Sequence, residues 1–261
     1  MRVPPTRIPG TGSRLVIARR YELRKRLFDV VVIVLAAVAW VPVVAVAALA
    51  VLVFSGRPIF YRSRRWVGPK AAIEMVKLRV MVPHANKVLE SVDAGRFLNT
   101  PPDSPLYTGV GRILDRLGIN EIPQFVHVLR GEMTIVGPRP LTDAVRDALL
   151  EEHGQIDERW DSTPAGLTGL PQLVGRIALT DQQRLDLESA YARMVADGYS
   201  IRTDFKILLF TVLITFGVKK PLAPEAALDM VRGRRTRVRT LRTARAHGYT
   251  AAATADTDAV A

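Results

Sequence analysis

Residues 27–54 read LFDVVVIVLAAVAWVPVVAVAALAVLVF, with one charge, Asp29, near the start and one proline, Pro42, near the middle. A bilayer is crossed by about 20 apolar residues. A straight helix over this stretch is about 42 Å long, against a hydrocarbon core of about 30 Å. Tilt absorbs such an excess. Pro42 offers another solution, because it removes a backbone donor and crowds the preceding turn. The flanks favour that solution. Arg19, Arg20, Arg24, Lys25 and Arg26 precede the stretch; Arg57, Arg62, Arg64, Arg65 and Lys70 follow it. Basic flanks stay on the cytoplasmic side, and a helix that enters, breaks near Pro42 and returns keeps both there. A tilted span and a cleaved signal peptide ending at Ala45-Val46-Ala47 are the weaker alternatives, the second because the run is too long and starts late. A buried core helix fits least, since runs this apolar are rare in soluble domains.

Composition bounds the remainder. With 261 residues, the chain holds one sizeable domain and an appendage. Its hydrophobic content of 48% excludes wholesale disorder, and the lack of cysteine excludes disulfides and thiolate metal sites. A net charge of +12 points to an anionic partner. Much of it lies in seven arginines between Arg232 and Arg245, ahead of an Ala/Thr/Asp-rich end. Beside a membrane segment such a tail suits an anionic lipid bilayer. No aromatic-rich pattern accompanies it, which argues against nucleic acid. The chain thus divides into a basic arm (1–26), a membrane helix (27–54), a cytoplasmic domain (55–220) and a basic tail (221–261) expected to be disordered.

The cytoplasmic part reads as a mixed, helix-rich α/β domain with short strands. Gly56 to Arg62 is a turn into a strand, and Ile73 to Arg79 a second strand. There Lys77 and Arg79 share a face by the period of two, as a diphosphate site would require, though a solvated face has the same pattern. A polar helix is expected over 84–97 and another from Gly109 to Leu117. Next comes Arg116-Leu117-Gly118-Ile119-Asn120-Glu121-Ile122-Pro123-Gln124, in which Pro123 ends or redirects the helix. Thr134 to Val136 is a short strand. Pro138 and Pro140 then fix the backbone on either side of Arg139, a preorganised arginine suited to phosphate. Asp143 to Ile156 is a helix, Pro164 to Arg176 a Gly/Pro-punctuated loop, and Thr180 to Val195 a helix opened by a capping box with Gln183. Asp204 to Lys219 is too short to span and is expected to lie amphipathically at the membrane interface or to pack on the membrane segment.

From about Arg24 to Lys219 the sequence resembles the bacterial sugar transferases of the monotopic phosphoglycosyl transferase family. The motifs that carry this are Lys25-Arg26-Leu27-Phe28-Asp29 and the Pro-interrupted helix, Pro58-Ile59-Phe60-Tyr61, Lys77-Leu78-Arg79, Thr108-Gly109-Val110-Gly111, Glu121-Ile122-Pro123-Gln124, Gly137-Pro138-Arg139-Pro140, Pro164 to Thr168, Gln172 and Gly175-Arg176. Singly they are weak; in this order and spacing they are specific. The resemblance implies transfer of a phospho-sugar from a UDP-sugar to a polyprenyl phosphate at the cytoplasmic face of the inner membrane, the first membrane step of exopolysaccharide or other glycan assembly. It implies an Asp-Glu dyad with Mg2+, the aspartate attacking the β-phosphate and releasing UMP. By it Glu121 is the second dyad member and a metal ligand, Arg139 holds phosphate or nucleotide, and Lys77, Arg79, Arg176 and Asp204 are further site candidates. A second copy of the chain is a candidate partner.

Several positions depart from the family pattern. Asn120 stands where the dyad's aspartate is expected, and Asp115 where an arginine is usual. The stretch Ser104 to Thr108 lacks two usual charges, Pro171 replaces an aromatic, and Val41 precedes Pro42 where serine is typical. Asn120 leaves three readings: transfer with Glu121 as nucleophile or by direct attack of the lipid phosphate; an inactive member serving as a membrane-bound partner or regulator in glycan assembly; or binding of a sugar nucleotide without turnover.

Overall fold

The apolar stretch forms one helix, α1 (Leu23–Ser55), of 33 residues. The computed structural model describes residues 23–83, 85, 103–175 and 179–232. The polar helix expected over 84–97, apart from residue 85, falls outside them, as do Arg176 and the arginine-rich stretch past Arg232. Helical structure continues through Pro42, so a bend there is a kink within one helix and not a loop between two. The helix is long and apolar enough to cross a membrane. Val38 is 87% exposed, and Leu35 and Phe54 75% each. An apolar surface this extensive calls for a membrane or a partner to cover it.

Both ends of α1 pack on one folded body. At its start, Lys25 Nζ donates to the Val136 carbonyl (2.7 Å), Tyr191 Oη (2.8 Å) and Asp204 Oδ2 (2.7 Å). The ammonium also lies 5.4 Å from the ring centres of Tyr191 and Tyr199. One turn on, Asp29 accepts from the Thr134 hydroxyl (2.7 Å) and the Ile135 amide (3.1 Å). Near the other end, Ala47 and Val51 pack with Leu78 and Leu114. The Arg79 guanidinium closes that end by donating to the carbonyls of Ser55, Gly56, Pro58 and Met81. Terminal carbonyls of a helix lack intrahelical partners and carry partial negative charge, so a buried arginine is well suited to them.

After α1 comes an antiparallel hairpin, β1 (Phe60–Gly68) and β2 (Ala71–Leu78), pairing Tyr61 with Lys77, Ser63 with Met75 and Arg65 with Ile73. These pairs share one face of the hairpin. Helix α2 (Gly109–Arg116) is capped by Thr108, whose hydroxyl accepts from the Gly111 amide. A Cβ at Gly111 would lie 1.9 Å from the Val80 carbonyl oxygen, so only glycine lets α2 sit this close to the end of the hairpin. The helix ends at Arg116 with Leu117 as its cap, close to the expected Gly109 to Leu117, and Gly118, with φ of 69°, turns the chain before Pro123 is reached. Pro123 lies within a following 3-10 turn, Ile119–Gln124, which leads into α3 (Phe125–Leu129).

The second half builds a parallel pair, β3 (Thr134–Val136) and β4 (Gly166–Thr168). Between them lie α4 (Asp143–His153) and a 3-10 turn, Asp157–Trp160. The stretch read as a loop from Pro164 onward contains β4 and a short helix, α5 (Leu170–Val174), elements too brief to show periodicity. Helix α6 (Asp181–Gly198) opens with the expected capping box, Thr180 and Gln183 bonding reciprocally. Helices α7 (Ile201–Thr215) and α8 (Pro224–Asp229) follow. Ala227 of α8 is fully buried in the main core, so packed structure extends past residue 221. That core joins Ile33 of α1 to Met133, Ile135 and Val136 of the β3 region, Leu187 and Tyr191 of α6 and Ile207 of α7.

Candidate active site

A cavity of about 830 Å³ opens between α2, the loop carrying Arg139, β4 and the C-terminal half of α7. Its polar wall includes Asp115, Arg116, Glu121 and Arg139; Val212, Ile214 and Phe216 supply an apolar wall. Val212 and Phe216 are themselves exposed, so the apolar wall continues onto the outer surface.

Lys77 of β2 does not line the cavity itself but pairs with Glu121, which does, its Nζ 2.5 Å from Glu121 Oε1. Burial pushes the Lys77 ammonium below its usual range, and the charges of Arg139 and Arg65 push the same way, while Glu121 opposes them. Burial likewise lowers Arg65, with Arg139 adding to it. Lys77, Arg65 and Arg139 thus lie within electrostatic reach of one another, with the carboxylates of Glu121 and Asp143 near them. Such an excess of positive charge in a part-buried site favours a polyanion such as a diphosphate. Arg65 was not among the expected site residues. Its signal was present, two pleats along β1 from Tyr61, but it needed the strand pairing to be read.

The Pro-Arg-Pro loop is held from behind. The Arg139 amide donates to Glu188 Oε1 at 2.9 Å, and its carbonyl accepts from Arg159 Nη2 at 2.6 Å. Arg159 and Glu188 are ion-paired at 2.6 Å and almost wholly buried. Burial raises the Glu188 carboxyl and lowers the Arg159 guanidinium, with each partner's charge opposing the shift. The arginine side chain is therefore left to the cavity while its backbone is locked. Gly166 permits the close approach: a Cβ there would sit 2.2 Å from the Gly137 amide nitrogen.

The remaining expected residues divide. Asn120 is 3% exposed and does not line the cavity; its Nδ2 donates to Asp115 Oδ1 at 2.9 Å. Its Oδ1 has no hydrogen-bond partner among the described residues. Arg79 is turned away to cap α1. Asp204 lies under the floor with Lys25, Tyr191 and Tyr199. Gly175 lines the cavity, but Arg176 lies outside the described residues.

A family model described as bacterial sugar transferase matches residues 20–217. The chain belongs to the bacterial sugar transferases. Among curated relatives of this sugar transferase is the exopolysaccharide production protein ExoY of Sinorhizobium fredii. It is 31% identical over 198 residues, covering 73% of this chain and 84% of the relative. The UDP-glucose:undecaprenyl-phosphate glucose-1-phosphate transferase of Caulobacter vibrioides is 34% identical over 196 residues, covering 73% of this chain and 69% of its own. The Escherichia coli protein of that description is 32% identical over 203 residues, and the match covers 40% of its length. In this sugar transferase, Glu121 and Arg139 line one cavity and Lys77 pairs with Glu121, while Arg79 and Asp204 bond to the two ends of α1.

Proposed function

We propose that the chain transfers a phospho-sugar from a UDP-sugar to a polyprenyl phosphate at the cytoplasmic face of the inner membrane. The observation that carries this reading is the cavity itself: Arg112, Arg116 and Arg139 line it together with Glu121, which Lys77 pairs, and Val212, Ile214 and Phe216 of the α7 region add an apolar wall that is exposed at Val212 and Phe216. A diphosphate and a lipid phosphate would meet there with the isoprenoid on the apolar side. UDP-glucose is the first donor to test, because the Caulobacter and Escherichia coli relatives are described as acting on it. Supply of lipid-linked sugar to exopolysaccharide assembly fits the ExoY relative. Packing of both helix ends on one body supports a re-entrant, monotopic anchor, since ends on opposite sides of a bilayer could not do this.

Mg2+ fits the donor set. Glu121 offers a hard carboxylate oxygen, and this ion is commonly bound by one or two carboxylates plus substrate phosphates and water. When bound, the ion would offset diphosphate charge. The residues themselves orient the donor: Arg139 on phosphate or nucleotide, and Lys77 on phosphate while steering Glu121.

Asn120 favours a second reading, an inactive member acting as a partner in glycan assembly. Purified full-length protein, polyprenyl phosphate, Mg2+ and a panel of radiolabelled UDP-sugars separate the two. Lipid-linked product from one donor supports transfer; none across the panel sinks it and leaves the inactive reading.

A further inference from the structure

Two acidic residues line the cavity, Glu121 and Asp115. Glu121 is engaged by Lys77 at 2.5 Å, which suits it to electrostatic and metal-holding work more than to attack. Asp115 sits in the last turn of α2, and each of its oxygens accepts a hydrogen bond from a fixed side chain. Oδ1 takes the Asn120 amide at 2.9 Å and Oδ2 the Tyr107 hydroxyl at 3.1 Å. Tyr107 is itself mostly buried, bridged to Met81 at the end of the hairpin. The two bonds fix the orientation of the carboxylate at the cavity wall. Asn120, by contrast, is buried off the cavity wall, and its nearest polar contact is Asp115 itself.

We infer that Asp115 is the catalytic nucleophile of this chain and that Asn120 and Tyr107 are the positioning residues that aim it. This rests on the transferase reading above. An Asp115 oxygen forms a bond to the β-phosphorus of the UDP-sugar, and the bond from that phosphorus to the bridging oxygen breaks. UMP leaves with the bond's electron pair, and the phospho-sugar remains on Asp115 as an acyl phosphate. An oxygen of the polyprenyl phosphate then attacks the same phosphorus, giving the lipid diphosphate sugar and restoring the carboxylate. A carboxylate is an established nucleophile for such phosphoryl intermediates.

The test uses full-length protein in vesicles with UDP-glucose carrying 32P at the β-phosphate, or whichever UDP-sugar of the panel supports transfer. Without lipid acceptor, the label is expected on the protein, on the peptide containing Asp115, and labelled UMP is expected to exchange into UDP-sugar. D115N is expected to lose labelling, exchange and transfer by roughly 10³-fold or more while still binding UDP-sugar. Asn120→Asp sets a second anion against Asp115, so slower transfer is expected. Label on Glu121 or any other residue overturns the assignment, as does lipid product without a labelled protein. A gain of transfer in N120D overturns it too, because it would make position 120 the nucleophile's seat. No product from the unaltered protein with any donor sinks the transferase reading, and this assignment with it. The peptide map is read on the unaltered protein and does not depend on a variant folding.

Discussion

Lys77 is the residue whose chemistry the fold alters most usefully. Its pKa is lowered by burial, so it loses its proton at a lower pH than an ordinary lysine. In the proposed reaction it is the protonated form that binds the diphosphate. KM for the UDP-sugar is therefore expected to rise as pH rises, earlier than a solvent-exposed lysine would allow, and Lys77→Arg should move that limb to higher pH. Lys77→Ala should lower kcat/KM about 10–100-fold, the worth of a charge-assisted hydrogen bond. Arg159 gives a stability prediction. Its partner Glu188 is 1% exposed, so Arg159→Ala strands a buried charge and should cost about 3–5 kcal/mol in chemical unfolding in detergent. An Arg159→Met/Glu188→Leu pair should cost less than either single change. Glu121 and Arg139, marked in the sequence by a motif and by two flanking prolines, both line the cavity. Arg79 was misplaced because the period of two assigns a strand face and says nothing of a helix end arriving there. Arg65 was missed because its neighbours across β1 and β2 are set by pairing register.

Among the elements, the membrane helix was read correctly in place and apolar character, while its ends began and finished a few residues outside the apolar run. The basic residues flanking it looked like topological signals. One of them acts as a cap: Arg26 donates to the Val128 and Leu129 carbonyls at the end of α3. Strong local rules, such as the capping box of α6, were legible; β4 and α5 were not, since three to five residues carry no period. The element-scale prediction concerns topology. The chain has no cysteine, so Leu23→Cys and Arg57→Cys, both exposed, can be probed singly with an impermeant maleimide. Both are expected to react in inverted vesicles and neither in intact spheroplasts. Opposite reactivity of the two would show a span.

At the scale of the molecule, the outward faces of α1 and α7 set how the body meets the bilayer. Phe205 and Phe216 are exposed at 55% and 66%, beside the apolar wall of the cavity. A charge at Val212, which lines the cavity and is exposed, should hinder the lipid more than the nucleotide. Val212→Glu is expected to raise KM for polyprenyl phosphate severalfold while UMP exchange changes little; equal loss of both would argue for general damage. The buried start of α1 carries a consequence for synthesis. The partners of Lys25 lie 111, 166 and 179 residues further along the chain. The ribosome therefore delivers the membrane helix long before the residues that receive its ammonium. The nascent helix must wait in the lipid with its polar anchor unmatched, and docking is completed only once Asp204 has emerged. A chain stalled before α7 would thus be membrane-bound yet unlatched, a ready mark for quality control.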